Sequence, residues 1–342
     1  MVDTRFWRPA RVGRLQALST LAVALLVPIA ASALVACGEG EEPTKTSKSA
    51  NKPAKTTGPD FGELPAAGEV TVGQLNECAS MDLVFIVDNS GSMEEEQTNL
   101  AENFPRFASI IDGYRTANGQ PLDYRLAVTT TDATNGKGAF VKDGTPPKSG
   151  GFQFPPQPSR PACDGGPDRR WLERLDPNVV NFFACRAQVG TGGSANEQPL
   201  GALLLGLTDR IADGTNTANG ASFLRDEALL AFVILTDEDE RSASSGSSQA
   251  TLPKTAAEFA SAFDKLKGGD RKRWAGTVIA GEQACSSPKL GQAEEAKELK
   301  SFIAEAGTNG TFSSICTGDL TDGLTKALAT FDLACKSFPG PK

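Results

Sequence analysis

The stretch Asp82-Leu83-Val84-Phe85-Ile86-Val87-Asp88-Asn89-Ser90-Gly91-Ser92-Met93 governs how the whole chain reads. Leu83 to Val87 are apolar without alternation, and the run stops at Asp88. A short unbroken apolar run suits a parallel strand covered on both faces. Ala231-Phe232-Val233-Ile234-Leu235 is a second such run, closed by Thr236-Asp237. Arg125 to Thr130 and Trp274 to Ala280 are further strand candidates. Elsewhere apolar residues recur at spacings of three and four. Leu100, Phe104, Phe107 and Ile111 form one such set. Leu200, Leu203, Leu204, Leu207 and Ile211 form another, behind Pro199, which suits a first helical turn. Ala296, Leu299, Ile303 and Ala306 mark a later helix, and Leu320, Leu324, Leu328 and Phe331 the last. This alternation predicts an α/β fold, a doubly wound, mostly parallel sheet flanked by helices.

Open α/β sheets bind ligands at the carboxyl ends of their strands. Asp88, Ser90 and Ser92 follow the first strand, Asp237 follows another, and Thr191 lies in a loop before the Leu200 helix. These are oxygen donors only. Hard cations favour such sets, so the expected cofactor is Mg²⁺, with Mn²⁺ or Ca²⁺ as alternatives. Gly91 is expected to permit a tight backbone between the two serines.

The stretch from Asp82 to Met93 closely resembles the first strand and metal-ion-dependent adhesion site of the von Willebrand factor type A family. The resemblance spans about residues 78–335 and implies that family's Rossmann-like fold. It implies metal roles for Asp88, Ser90 and Ser92, and for Asp237. Thr191 is the candidate for the family's threonine, with Ser194 as competitor in the loop Gly190-Thr191-Gly192-Gly193-Ser194. The family often has glycine after the second aspartate, where this chain has Glu238. The resemblance further implies a protein partner whose Glu or Asp carboxylate completes the metal shell, so a binding domain is expected and not an enzyme. Alternatives are a metal-dependent hydrolase, which would need a base, and a metal-free structural envelope protein.

Composition narrows the function classes. The 342 residues include no histidine, which excludes Ser-His-Asp and Cys-His catalysis and His-ligated zinc. A net charge of −8 disfavours nucleic acid, whose phosphates need clustered Lys and Arg. Gly192-Gly193-Ser194 lacks the Lys-Ser or Lys-Thr ending of a phosphate loop.

Residues 1–36 read as a lipoprotein signal peptide. Arg5, Arg8, Arg11 and Arg14 precede an apolar stretch from Leu18 to about Ala33, and Leu34-Val35-Ala36-Cys37 resembles a bacterial lipobox. Lipidation of Cys37 would anchor the chain to a membrane. Gly38 favours the outer membrane in the Gram-negative sorting pattern, facing either the periplasm or the surface. Loss of four Arg and one Asp takes the charge from −8 to near −11. Residues 37–70 are poor in large apolar side chains and read as a flexible tether, with a span of about 30 Å.

Six cysteines remain. Position pairs Cys78 with Cys335, Cys163 with Cys185, and Cys285 with Cys316, as expected for an exported chain. The Pro- and Gly-rich stretch from about 144 to 190 reads as a disulfide-closed insertion. Phe152, Phe154, Trp171, Phe182 and Phe183 are expected to form its satellite core, or alternatively a recognition surface. Asp237-Glu238-Asp239-Glu240 reads as a solvated acidic loop, with a second cation site, for Ca²⁺, as the alternative.

Overall fold

A computed structural model describes residues 77–339 apart from 117, 144–162, 164, 244–250 and 287–290. The signal segment, Cys37, the tether, Phe152 and Phe154 lie outside the described residues. In chain order the elements are β1 (Ser80–Val87), α1 (Glu94–Gly113), β2 (Asp123–Thr130), β3 (Leu172–Glu173), α2 (Val179–Arg186), α3 (Pro199–Leu207), α4 (Asp209–Ala212), β4 (Thr217–Ala218), β5 (Ala221–Ser222), β6 (Leu229–Leu235), α5 (Ala256–Leu266), β7 (Trp274–Ala280), β8 (Cys285–Ser286), β9 (Gln292–Ala293), α6 (Lys297–Ala306), β10 (Gly310–Ser314) and α7 (Leu320–Lys336).

The main sheet has the order β10-β7-β6-β1-β2-β3. All its ladders are parallel except β2 with β3. The expected doubly wound, mostly parallel α/β sheet is therefore present. Every residue of β1, β6 and β7 is buried, which is why their sequences are apolar without alternation. Leu83, Phe85 and Val87 face one layer with Phe104 and Phe107 of α1, Phe183 of α2 and Phe331 of α7. Val84 and Ile86 face the other with Leu203 of α3, Phe263 of α5 and Phe302 of α6. Phe85 sits 5.3, 5.0 and 4.9 Å from the rings of Phe104, Phe107 and Phe183. Burial of each such side chain stabilises by about 1.5–3 kcal/mol. Gly276 of β7 has no room for a side chain, because an added Cβ would stand 2.3 Å from Phe232.

Two expectations need correction, and one helix had no expectation. Phe182 and Phe183 join one main core layer and Trp171 the other, so they form neither a satellite core nor an exposed surface. The second half of the insertion supplies the edge strand β3 and helix α2, whose apolar side chains pack onto the sheet. The Leu200–Ile211 periodicity belongs to two helices, because Thr208 leaves helical geometry at φ −119° and ψ −81°. Helix α5 was hidden by its short apolar stripe. Its start carries a Thr255–Glu258 capping box, a signal that is legible in sequence.

All three disulfides form as paired from position. Cys78–Cys335 closes the domain ends, Cys163–Cys185 the insertion, and Cys285–Cys316 links β8 to the turn after β10.

Candidate metal centre

The chain continues from β1 into β2 on one side and returns to β6 on the other, so the carboxyl ends of β2, β1 and β6 flank a switch point. The register pairs Val87 with both Thr130 and Leu235. The next residue of each strand is therefore Thr131, Asp88 or Thr236, side by side in that order. Thr131 donates its hydroxyl to Asp88 Oδ1 at 3.2 Å, and Thr236 donates to Oδ2 at 2.5 Å. The Ser90 amide donates to Oδ1 at 2.8 Å. Asp88 is fully buried, and burial raises its carboxyl above the usual range against the opposing pull of these donors.

Ser90 is buried, Ser92 is exposed, and their hydroxyls meet at 3.0 Å. Asp237 is buried and hydrogen-bonds with Ser92. Burial, opposed by that bond and aided by the charges of Asp88 and Glu238, pushes Asp237 up to about 7. Asp237 Oδ1 is buried without a hydrogen-bond partner among the described residues. Neither Asp88 nor Asp237 forms an ion pair with Lys or Arg among the described residues. The structure thus brings Asp88, Ser90, Ser92 and Asp237 into one group open to solvent at Ser92.

Two carboxylates without basic partners, two hydroxyls and an unpartnered buried oxygen fit a hard cation that keeps some water. Among the described residues no three His, Cys, Asp or Glu side chains converge as a metal group. A cation here would rest on the hydroxyls as well as on the two aspartates.

Thr191 is half-buried in the neighbouring loop, and among the described residues its hydroxyl bonds none of Asp88, Ser90, Ser92 and Asp237. The Ser194 hydroxyl accepts from the Asn196 amide at 3.0 Å, which ties it to its own turn. That loop is locked to the first one elsewhere. Gln97 donates to both Asp88 O and Gly190 O at 2.8 Å, and the Gly193 amide donates to Asn89 O at 2.7 Å. A Cβ at Gly193 would stand 2.3 Å from Asn89 Oδ1. At Gly91 it would meet nothing within 4 Å, and Gly91 is not in the left-handed region. The glycine in close contact is Gly193, against the Asn89 side chain, and not Gly91, contrary to expectation.

Sequence reasoning missed Thr131, Thr236 and Glu197. Glu197 immediately precedes the turn into α3 and is fully buried. Its carboxyl is raised by burial first, then by contact with the Glu238 carboxyl and the charge of Asp88.

The acidic run is not a solvated loop. Asp239 accepts from the Glu298 and Leu299 amides at 2.9 and 3.0 Å, capping α6, where Ala296 offers no side-chain cap. Glu240 accepts from the Leu200 amide at 2.6 Å, capping α3 from outside. Glu238 pairs with Arg241 at 3.0 Å, and Arg241 also holds Glu294 at 2.9 Å. Each carboxylate carries a separate structural task, which leaves Asp237 alone facing Ser92.

An open cleft of about 550 Å³ begins beside Asn89, Gly192 and Gly193 and extends to Asp132, Lys142 and Arg170.

No known protein family matches the chain, and neither does any curated protein. Among solved structures it is similar to proximal thread matrix protein 1 from the mussel byssus, at 10% identity and TM-score 0.38, over 76% of this chain and 49% of that one. The same mussel protein with a zinc-occupied MIDAS motif gives 14% and 0.34, over 76% and 47%. The pilus adhesin SpaC of Lactobacillus rhamnosus GG, in its open conformation, gives 12% and 0.37, over 77% and 31%. This chain spans less than half the length of each. Likenesses of this strength carry no argument about its function.

Proposed function

We propose that this protein is a cation-dependent binding domain of the von Willebrand factor type A kind, carried on an exported chain. Asp88, Ser90, Ser92 and Asp237 would hold a divalent ion, Mg²⁺ first among candidates, and a partner protein would complete the shell with a carboxylate. The carrying observation is Asp237 Oδ1, a buried acidic oxygen with no donor and no basic partner among the described residues, on the carboxyl that bonds Ser92 of the Ser90–Ser92 hydroxyl pair. Exposure of Ser92 leaves one side of the site open to such a partner, and the cleft beside Asn89 offers it polar surface. Three disulfides support an oxidising compartment. Within this reading the chain is lipidated at Cys37 and sits in the cell envelope.

Calorimetric titration with Mg²⁺ and Mn²⁺ tests the metal. Wild type should bind one ion and Asp88→Ala none; equal affinity in both would remove the assignment. A pulldown with and without EDTA tests the partner. Capture that survives the chelator would overturn the shared-carboxylate reading.

A further inference from the structure

We infer that Glu197, and not Thr191, is the oxygen that the α3 loop contributes to the cation site, reaching the ion through a water that the ion retains. This rests on the metal reading above and adds a residue to it.

Glu197 is fully buried, and neither of its carboxylate oxygens meets an N–H or hydroxyl donor among the described residues; the polar group it does meet is another acid, the Glu238 carboxyl. A buried carboxylate in that state costs stability unless something else satisfies it. Its one basic neighbour among the described residues, Arg241, stands 3.9 Å away and is engaged more closely by Glu238 at 3.0 Å and Glu294 at 2.9 Å. The backbone fixes Glu197 where it is. Its carbonyl accepts from the Arg241 amide at 3.0 Å, which ties it to the loop that leaves Asp237. The next residue, Gln198, donates its amide to Thr131 O at 3.0 Å, which ties it to the strand end beside Asp88. Glu197 is thus suspended between the loop that leaves Asp237 and the end of β2, whose Thr131 bonds Asp88. Among the described residues Thr191 has no such tie through its side chain.

A cation supplies what the pocket lacks. Small divalent ions keep several waters, and each bound water carries two strongly polarised hydrogens. A carboxylate without donors, one water beyond the ion, accepts them. The three acidic groups need not converge on the metal, in keeping with the absence of a three-carboxylate cluster among the described residues. Carboxylates that orient a metal's ligands in this way are typically worth 10–100-fold in affinity.

The test is titration with Mg²⁺ and with Mn²⁺, read by calorimetry, on wild type, Glu197→Gln, Thr191→Ala and Asp88→Ala. Glu197→Gln should weaken binding about tenfold or more, and Thr191→Ala should stay within about twofold. Melting in EDTA separates affinity from folding. Glu197→Gln should melt at or above wild type without the ion, since a buried acid crowded by Glu238 and Asp88 is removed, and should lose most of the rise that Mg²⁺ gives wild type. Wild-type affinity in Glu197→Gln, or a loss confined to Thr191→Ala, overturns the inference and leaves the metal reading standing. A wild type that binds neither ion overturns both.

Discussion

Thr236 donates its hydroxyl to Asp88 Oδ2 at 2.5 Å, across the seam between β6 and β1 and over 148 residues of sequence. Thr131 does the same from β2 at 3.2 Å, so the buried carboxylate is clasped from both neighbouring strands. Removing a donor from a buried acceptor leaves its desolvation cost uncovered. Thr236→Val should lower stability in EDTA by about 2 kcal/mol, and Thr131→Val by about 1 kcal/mol. Urea denaturation measures both. A larger loss from Thr131→Val would mean that the shorter contact is not the stronger one.

Gly193→Ala should reduce Mg²⁺ affinity and cost about 1–3 kcal/mol, because its Cβ would push Asn89 away and part the two loops. Gly91→Ala should be close to neutral in both, as its Cβ meets open space. Calorimetry and melting on the pair settle the matter. Equal damage from both substitutions would show that the loop contact at Gly193 does not organise the site.

The disulfides should differ in weight. Cys78–Cys335 spans 257 residues and Cys163–Cys185 only 22. Loop-closure entropy then assigns about 5 kcal/mol to the first and about 3 kcal/mol to the second. Paired Cys→Ser variants, compared by their urea midpoints, should rank in that order. The reverse ranking would show that the unfolded chain does not behave as a simple closed loop.

Glu240 gives a pH signature. Burial pushes its carboxyl up to about 7, against the pull of its bonds from Ser242 and the amides of Leu200 and Gly201. The folded value lies above the unfolded one of 4.5. Its contribution is therefore fully present below about pH 4.5 and is lost as pH rises through about 7. The wild-type stability profile minus that of Glu240→Gln should fall by up to about 3 kcal/mol across that window. A flat difference would show that Glu240 is already ionised in the fold at low pH.

Much of the fold was legible because its signals are local. The apolar runs of β1, β6 and β7 encode burial on both faces, and the spacing of α1, α6 and α7 encodes one buried stripe each. The cysteine pairs followed from position relative to those elements. Asp88 and Asp237 were legible as polar residues stopping apolar strands. Trp171, Phe182 and Phe183 were misplaced because an apolar side chain announces burial but not which layer receives it. The acidic run from Asp237 to Glu240 was misjudged for a related reason. Asp239 and Glu240 cap helices that begin about 60 residues later and 40 residues earlier, and nothing local shows an amide so far away in the chain.

By itself the sequence determined the parallel sheet, the cysteine framework and the Asp88-Asn89-Ser90-Gly91-Ser92 turn, each written in residues close together or in simple order along the chain. Only the tertiary structure decided that Thr131 and Thr236 flank Asp88, that Gly193 packs against Asn89, and that Glu197 meets Glu238, the neighbour of Asp237. Those facts depend on strand register and loop docking. Both are set by how two core layers pack on the sheet, where a shift of one residue in β2 or β6 would turn Thr131 or Thr236 away from Asp88.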